Sequence, residues 1–331
     1  MGAPARCLLI ALLWCVSASA SATVAFREWS VDGTTLSVWY PSNEAVTPRR
    51  IGPFELNYAF DGAPRPGSWP ILVFSHSNGG QAHSHYLTLQ ALAEAGFIVV
   101  APQHGRETVV KTRHLRNSLR QRVRDLQRGV DAVHADAQLG PVVDRRWVHG
   151  LGFGLGATTV LLAAGAEWAP ELVAAHCQAH ASEDLDLCSS DPMSELKQKF
   201  SGWFSAVSRG DSISAAQSFT PVHGRVALVA PMGQGLRVTP GGLSISRLLN
   251  IAIDGDAIRP PRFHAQAIDD LLPQLSTRET LSGHHYAFLA PLPSWMLGKQ
   301  ERFTANDPPG FERLDFLRRI NAQLLRFFSS P

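Results

Sequence analysis

The segment best suited to chemistry is a run of alternating glycines, Gly-Leu-Gly-Phe-Gly-Leu-Gly, at residues 150–156 between an apolar strand and an apolar helix. A sharp strand-to-helix turn of pattern G-x-S-x-G exposes a serine hydroxyl for attack on a carbonyl carbon. Two registers fit, with the nucleophile position at Gly154 or Gly152, and the small residues after Gly154 favour the first. No serine or cysteine occurs from Arg145 to Ala166. The sequence therefore predicts a vacant nucleophile position at Gly154.

Three further loops carry groups that could serve such a turn. Residues 75–80, Ser-His-Ser-Asn-Gly-Gly, follow an apolar strand and are similar to the pattern H-G-x-G-G, which supplies a backbone N–H to an oxyanion. Carboxylates follow late in the chain at Asp254 and Asp256, and imidazoles at His284 and His285. The chain order is therefore nucleophile, acid, histidine. In the alternative interpretation the aspartates are turn residues and His285 is a core histidine.

The four loops together resemble those of the α/β-hydrolase superfamily, in particular bacterial dienelactone-hydrolase-like proteins and, more distantly, platelet-activating-factor acetylhydrolases. The resemblance covers roughly Pro70 to the C-terminus. It implies that Asp256, which best matches the spacing of the family's acid to the following prolines, is the catalytic acid. Residues 283–289, Gly-His-His-Tyr-Ala-Phe-Leu, are similar to the family's G-H-F-x-F-L loop, which aligns His285 with the catalytic histidine.

The resemblance also implies that the backbone N–H groups of Asn78 and Leu155 are the oxyanion donors. Oxyanion donors without a nucleophile can accelerate hydrolysis on the order of 10³-fold over water, but they cannot form an acyl-enzyme. Ser75 and Ser77 are the nearest spare hydroxyls along the chain, and their place on the oxyanion loop makes neither an attractive nucleophile. We therefore expect no adduct with fluorophosphonates, and we expect Gly154→Ser to install esterase activity.

Three functions are compatible with these residues. The leading hypothesis is a degenerate hydrolase that binds a small ester-like ligand or a protein partner without turnover. The second is an active ester or lactone hydrolase that uses an unidentified nucleophile or a water activated by His285 and Asp256. The third is a non-hydrolytic enzyme that uses the same pair as a general base. No cofactor is expected. The spacing of residues 150–154 departs from the dinucleotide pattern G-x-G-x-x-G.

The N-terminus predicts an export signal at residues 1–22. Arg6 precedes a ten-residue apolar run, Cys7–Val16, and small residues then offer cleavage after Ala20 or Ala22. The alternatives are a membrane anchor and lipid attachment at Cys15. The run is about half of the roughly 20 residues that a membrane-spanning helix needs, which disfavours the anchor. We expect a periplasmic or secreted protein with no stable membrane insertion after cleavage.

Two cysteines, Cys177 and Cys188, remain after signal removal. In an exported chain they predict a disulfide. The alternative is a zinc site, because His176 and His180 flank the first cysteine at ligand spacing. A second metal alternative is that loop histidines converge on an ion, and the candidates are His76, His83, His85 and His104.

Composition and periodicity predict the fold. The chain has 331 residues, 45% of them hydrophobic and 18% charged, and its net charge of +2 gives no bias toward nucleic acid. Buried-strand patterns at residues 71–74 and 97–101 alternate with helical patterns at 116–137 and 155–164. This alternation predicts a doubly wound, mostly parallel sheet flanked by helices, consistent with the α/β-hydrolase fold.

The predicted domain organisation is a single domain over residues 23–331. It carries a cap-like, disulfide-containing insertion at about 167–220, where the strand–helix rhythm breaks. Residues 111–128 hold seven cationic side chains and one acid, and most of the cations lie off the apolar stripe. They predict a solvated helix face, with an anion-binding patch as the alternative.

Overall fold

The fold is described from a computed structural model, which covers residues 23–105, 115–188, 221–297 and 307–330. The predicted signal peptide at residues 1–22 lies outside these ranges. So do residues 189–220 of the predicted insertion and residues 106–114, which include the start of the basic segment, residues 111–128. Within the described ranges, no helix has the length and apolar character needed to cross a membrane.

A ten-stranded sheet forms the centre of the described chain, in the order β12-β11-β9-β7-β5-β6-β2-β1-β4-β3. Strands β5, β6, β7, β9, β11 and β12 are neighbours and run parallel, whereas β2 joins β6 in antiparallel fashion. The strands are β1 (Thr23–Val31), β2 (Thr34–Ser42), β3 (Thr47–Ile51), β4 (Phe54–Phe60), β5 (Trp69–Ser75), β6 (Ile98–Pro102), β7 (Val143–Phe153), β8 (Glu167–Trp168), β9 (Arg225–Val229), β10 (Leu236–Arg237), β11 (Arg247–Ile253) and β12 (Ser276–Leu281). The short strands β8 and β10 pair separately.

Helices cover both faces of the sheet because successive side chains of a strand point to opposite sides. In β5, Val73 joins a core with α2 and α3, whereas Leu72 joins a core with α1 and the C-terminal helix. The predicted doubly wound α/β architecture is therefore confirmed. The helices are α1 (Tyr86–Glu94), α2 (Leu115–Ala135), α3 (Leu155–Ala163), α4 (Pro170–His180), α5 (Leu185–Cys188), α6 (Ala265–Leu271), α7 (Ser294–Leu297) and α8 (Arg313–Ser329).

Two features differ from the sequence-based expectation. The β3–β4 hairpin was not predicted, because β3 contains a proline and two arginines and is exposed along most of its length. The basic segment is not entirely a solvated face, because Arg122 and Asp125 of α2 are buried. They bond to other buried polar groups, so the helix buries a polar pair beside its apolar stripe.

The predicted disulfide between Cys177 and Cys188 is confirmed. It joins α4 to α5 in the described part of the predicted insertion. Between the cysteines, the buried carboxylate of Asp184 lies 2.8 Å from His176 Nε2 and 3.0 Å from His264 Nε2. Asp184, His176 and the Cys188 sulfur lie close enough to form a metal site, but that sulfur is bonded to Cys177 and is not a free thiolate.

Loss of this disulfide should destabilise the protein measurably. The cysteines are 11 residues apart, and closing a loop of this size restricts the unfolded chain by about 3 kcal/mol. We expect the double variant Cys177→Ala/Cys188→Ala to unfold at lower urea concentration, with that loss in the free energy of unfolding. Mass spectrometry of the unreduced protein provides the direct check. Two free thiols, or stoichiometric zinc, would contradict the bond.

Candidate active site

Gly154 forms the turn between β7 and α3. Its backbone angles are φ 55° and ψ −118°, which a residue with a β-carbon rarely adopts. Its N–H donates to the carbonyl of Val229, and its own carbonyl accepts from the N–H of Met232, each at 3.1 Å. Gly152 instead lies inside β7, where a β-carbon would come within 2.5 Å of the Gly156 carbonyl oxygen. The turn therefore fits the register with Gly154 at the nucleophile position.

Asp256 and His285 come together at the same edge of the sheet. Asp256 follows β11, His285 follows β12, and the distance from His285 Nδ1 to Asp256 Oδ2 is 2.7 Å. The other carboxylate oxygen, Oδ1, accepts from the N–H groups of Ile258 at 2.8 Å and Arg259 at 2.7 Å. Both side chains are almost fully buried. The carboxylate is thus oriented by three donors, and it holds the imidazole by Nδ1.

Competing effects act on the Asp256 carboxyl. Burial raises its pKa, because a charged group loses solvation. The hydrogen bond to His285, the charge of that ring and the two backbone N–H groups act in the opposite direction and together lower the pKa below the ordinary aspartate value. Asp256 is therefore ionised at neutral pH, as a group that orients a general base must be.

The neighbouring candidates have different partners. Asp254 accepts from the Ser282 hydroxyl at 2.8 Å and the Gly283 N–H at 3.3 Å, so it fixes the start of the histidine loop. His284 pairs with Asp307 through Nε2 at 2.9 Å. The chain therefore contains two adjacent histidines with separate carboxylates, and His285 is the one bonded to Asp256.

His285 lies beside the Gly154 turn. Its Cε1 atom is 3.8 Å from the position that a β-carbon on Gly154 would occupy. The Phe153 ring packs against the imidazole with 4.9 Å between ring centres. Because Nδ1 is bonded to Asp256, Nε2 is the nitrogen left to exchange a proton with a group at the turn.

The oxyanion loop, residues 75–80, borders the turn on the side of β5. The first residue of α3, Leu155, donates its N–H to the Ser77 hydroxyl oxygen at 3.4 Å. Asn78 follows Ser77 on the loop, next to the glycine pair. The two predicted oxyanion donors thus belong to adjoining segments, the loop after β5 and the start of the helix after β7.

His76 holds the backbone of this loop. Its Nδ1 lies 2.8 Å from the Ser77 carbonyl oxygen, and its Nε2 accepts the N–H of His104 at 3.2 Å. The ring therefore carries its proton on Nδ1. Burial is the largest cause that lowers its pKa well below 6.5, and the nearby His104 and Arg122 add to it. His76 is neutral over the physiological range.

Behind the loop lies a buried polar network that sequence inspection missed. Ser75 Oγ is 3.0 Å from His104 Nε2, and His104 Nδ1 is 3.1 Å from Asp125 Oδ2. Arg122 donates to the carbonyl oxygen of His76 and to the Thr159 hydroxyl. Burial lowers the pKa of Arg122 to about 9, which still leaves it charged at neutral pH. The sequence signal was Asp125, the only acid among seven cationic residues.

This network has the order of a serine–histidine–aspartate triad, but Ser75 has no exposed surface. An ester cannot reach a hydroxyl that lies wholly inside the protein. The network instead fixes the peptide units of the oxyanion loop, because Arg122 bonds the carbonyl that precedes Ser77. We interpret the residues of this network as groups that hold the oxyanion loop in place and do not react with a substrate.

Each of the four loop histidines of the metal alternative bonds to a protein group, and His76 also accepts the N–H of His104. His76 and His104 belong to the network just described. His83 Nε2 lies 3.2 Å from a Glu28 carboxylate oxygen, and His85 Nδ1 lies 3.2 Å from the Phe288 carbonyl oxygen. These contacts give each ring a local role in packing.

The buried histidines predict that acid destabilises the fold. Burial lowers the pKa of His85 to about 3 and is the largest cause that lowers that of His149 to about 4, whereas both titrate near 6.5 when unfolded. Below pH 6.5 the unfolded chain therefore binds more protons, so stability falls as pH falls. Between pH 7 and pH 5 we expect each to remove about 2 kcal/mol from the free energy of unfolding.

Urea unfolding at the two pH values, with the disulfide intact, measures this loss. His76 and His104 have lowered pKa values for the same reason and should add to it. An unfolding free energy that stays constant from pH 7 to pH 5 would show that these rings are not buried in the neutral form.

Comparison with known proteins agrees with this architecture. Residues 42–148 match the family model described as platelet-activating factor acetylhydrolase, isoform II. The match begins upstream of Pro70, where the sequence resemblance starts, includes the oxyanion loop and ends before Gly154. A search of curated proteins finds no match to the chain. The mostly parallel sheet with its flanking helices is consistent with the α/β-hydrolase fold, and the family match over residues 42–148 agrees with it.

Proposed function

We propose that this protein hydrolyses carboxylic esters, with His285 as the general base and Asp256 as the group that orients it. The observation that carries the proposal is the buried 2.7 Å contact between the two side chains, formed beside the Gly154 turn. An imidazole whose Nδ1 is held by a carboxylate can take a proton from a hydroxyl or water through Nε2.

The rest of the site supports the same reaction. The backbone N–H groups of Leu155 and Asn78 are suited to stabilise the oxyanion that forms when a carbonyl is attacked, and they do not depend on a side chain at Gly154. The matched family is named for hydrolysis of an acetyl ester, so we propose short-chain esters as the substrate class. A more specific relation to dienelactone hydrolases stays part of the proposal.

We also propose that the protein is exported to the periplasm or secreted. The sequence pattern of residues 1–22 supports this location. The Cys177–Cys188 bond adds support, because disulfides persist in oxidising compartments.

A binding role without turnover is the second candidate. One observation favours it: Gly154 offers no side chain for nucleophilic attack. In that case the oxyanion loop and the His285–Asp256 pair would bind a carbonyl-containing ligand or a protein partner, and no ester would be cleaved.

Hydrolysis of 4-nitrophenyl acetate by the purified protein tests the choice. We expect turnover that His285→Ala lowers by roughly 10²–10⁴-fold, since a general base contributes that much. His284→Ala is the matched control, because it removes the adjacent histidine and its separate contact with Asp307. Absence of turnover would favour the binding role, and turnover equally sensitive to both substitutions would contradict His285 as the general base.

A further inference from the structure

The turn at Gly154 between β7 and α3 is the elbow of the site, and the Ser77 side chain occupies the space that a nucleophile on this elbow would fill. An ideal β-carbon built on Gly154 lies 2.2 Å from Ser77 Oγ and 2.9 Å from Ser77 Cβ. The same point lies 3.8 Å from His285 Cε1. A hydroxyl is therefore present at the vacant position, and it comes from the opposite wall of the site.

Sheet register explains this placement. Strands β5 and β7 are parallel neighbours, and Ser75 pairs with Gly152. Two residues further along each strand, the chain reaches Ser77 on one side and Gly154 on the other. The oxyanion loop and the elbow thus face each other at equal distance beyond the last paired residues.

The two positions also exchange residue types. Ser77 stands where the pattern H-G-x-G-G has its first glycine, and Gly154 stands where G-x-S-x-G has its serine. A serine at both positions would overlap, given the 2.2 Å separation noted above. We call the space between residues 77 and 154, which a side chain from either position would fill, the shared volume. With one serine and one glycine, either arrangement leaves a single hydroxyl there.

On the basis of the function proposed above, we propose that Ser77 is the nucleophile of this protein. His285 Nε2 takes the proton from Ser77 Oγ as that oxygen bonds to the ester carbonyl carbon. The carbonyl electron pair moves to its oxygen, where the charge is stabilised by the N–H group of Asn78 and by that of Leu155, which leaves its bond to Ser77 Oγ. When the pair returns, the bond to the alkoxide breaks, and His285 passes the proton to the leaving group.

The resulting acyl group stays on Ser77 until water removes it. His285 takes a proton from that water, the hydroxide oxygen bonds to the acyl carbon, and the carbonyl re-forms as the bond to Ser77 Oγ breaks. The proton returns to Ser77, and the carboxylic acid leaves. The cycle consumes one water and yields one alcohol and one acid.

The surrounding contacts fit a nucleophile. The Ser77 carbonyl oxygen accepts from His76 Nδ1 at 2.8 Å and from the Gly80 N–H at 3.1 Å, so the residue's backbone is fixed. Leu155 donates its N–H to the hydroxyl oxygen itself. Ser77 is partly exposed, unlike the fully buried Ser75, so a ligand can reach it.

Fluorophosphonate labelling followed by peptide mass spectrometry tests this assignment. We expect a stoichiometric adduct on Ser77, contrary to the expectation from the sequence, and its loss in Ser77→Ala and in His285→Ala. Ser30→Ala is the matched control, because Ser30 is an exposed serine on β1 and should not affect labelling. In parallel, Ser77→Ala and Ser77→Gly should each lower 4-nitrophenyl acetate turnover at least about 10³-fold.

The outcomes separate the two proposals. An adduct on Ser77 that requires His285 supports the nucleophile. If His285-dependent turnover persists in both Ser77 variants and no adduct forms, water activated by His285 attacks the ester carbonyl directly, so Ser77 is not the nucleophile although the protein is still an ester hydrolase. If the wild-type protein shows neither turnover nor adduct, both proposals fail.

Discussion

The double substitution Ser77→Gly/Gly154→Ser should retain ester hydrolysis, whereas Ser77→Gly alone should lower it at least about 10³-fold. The single variant removes the hydroxyl that lies in the shared volume. The double variant returns a hydroxyl to that volume from the elbow, beside the same His285 ring and the same backbone donors. Steady-state rates with 4-nitrophenyl acetate, and the site of fluorophosphonate attachment, measure the result. The adduct should move from residue 77 to residue 154.

Gly154→Ser alone completes the comparison. From the sequence we expect this substitution to install activity, but its β-carbon would meet Ser77 Oγ at 2.2 Å, so the Ser77 side chain must turn away first. We therefore expect the single variant to be less active than the double one. If the double variant folds and is inactive while Ser77→Gly keeps the wild-type rate, the two positions do not share a function.

Asp256→Asn should lower kcat by about 10⁴-fold with little change in KM. One carboxylate oxygen accepts from the N–H groups of Ile258 and Arg259, and an asparagine carbonyl oxygen can keep those bonds. Its amide NH2 would then face His285 Nδ1, which must become an acceptor. The ring proton moves to Nε2, so the nitrogen that should act as base is already protonated.

Asp307→Asn is the matched control, because it changes the carboxylate paired with the adjacent His284. It should affect kcat far less. The kcat of Asp256→Asn should also stay low across the pH range where the wild type is active, because the loss comes from the wrong tautomer of His285. A rate that recovers fully at higher pH would contradict this explanation.

Much of the scaffold was predictable because it follows from apolar periodicity. Residues 71–74 and 97–101 are continuous apolar runs; the first lies in β5 and the second, from Ile98 onward, in β6, and both are buried parallel strands. The loops with Asp256 and His285 were also recognisable, because each follows such a strand. The hairpin of β3 and β4 was not, because β3 is exposed along most of its length and has no buried face to set a pattern.

The place of Ser77 could not be predicted, because it depends on pairing between distant strands. Residues 77 and 154 are far apart in the chain, and only the register of β5 on β7 brings them opposite each other. The burial of Arg122 and Asp125 was hidden for a related reason. A polar residue in a helix gives the same sequence pattern whether it bonds to water or to buried groups. Here Asp125 bonds to His104 and Arg122 bonds to Thr159.

The backbone of Gly154 has a consequence for the balance between folding stability and activity. A serine in its conformation would store roughly 1–3 kcal/mol of strain, a common cost of placing a nucleophile on such a turn. In the described chain, positive φ angles outside glycine occur at Asp32, Asp61 and Ala230, so Ser77 carries its hydroxyl without the positive φ angle of the Gly154 turn. The turn and the reactive group are thus borne by different residues. The usual trade-off, in which a more stable active site is a less active one, is relaxed at this position.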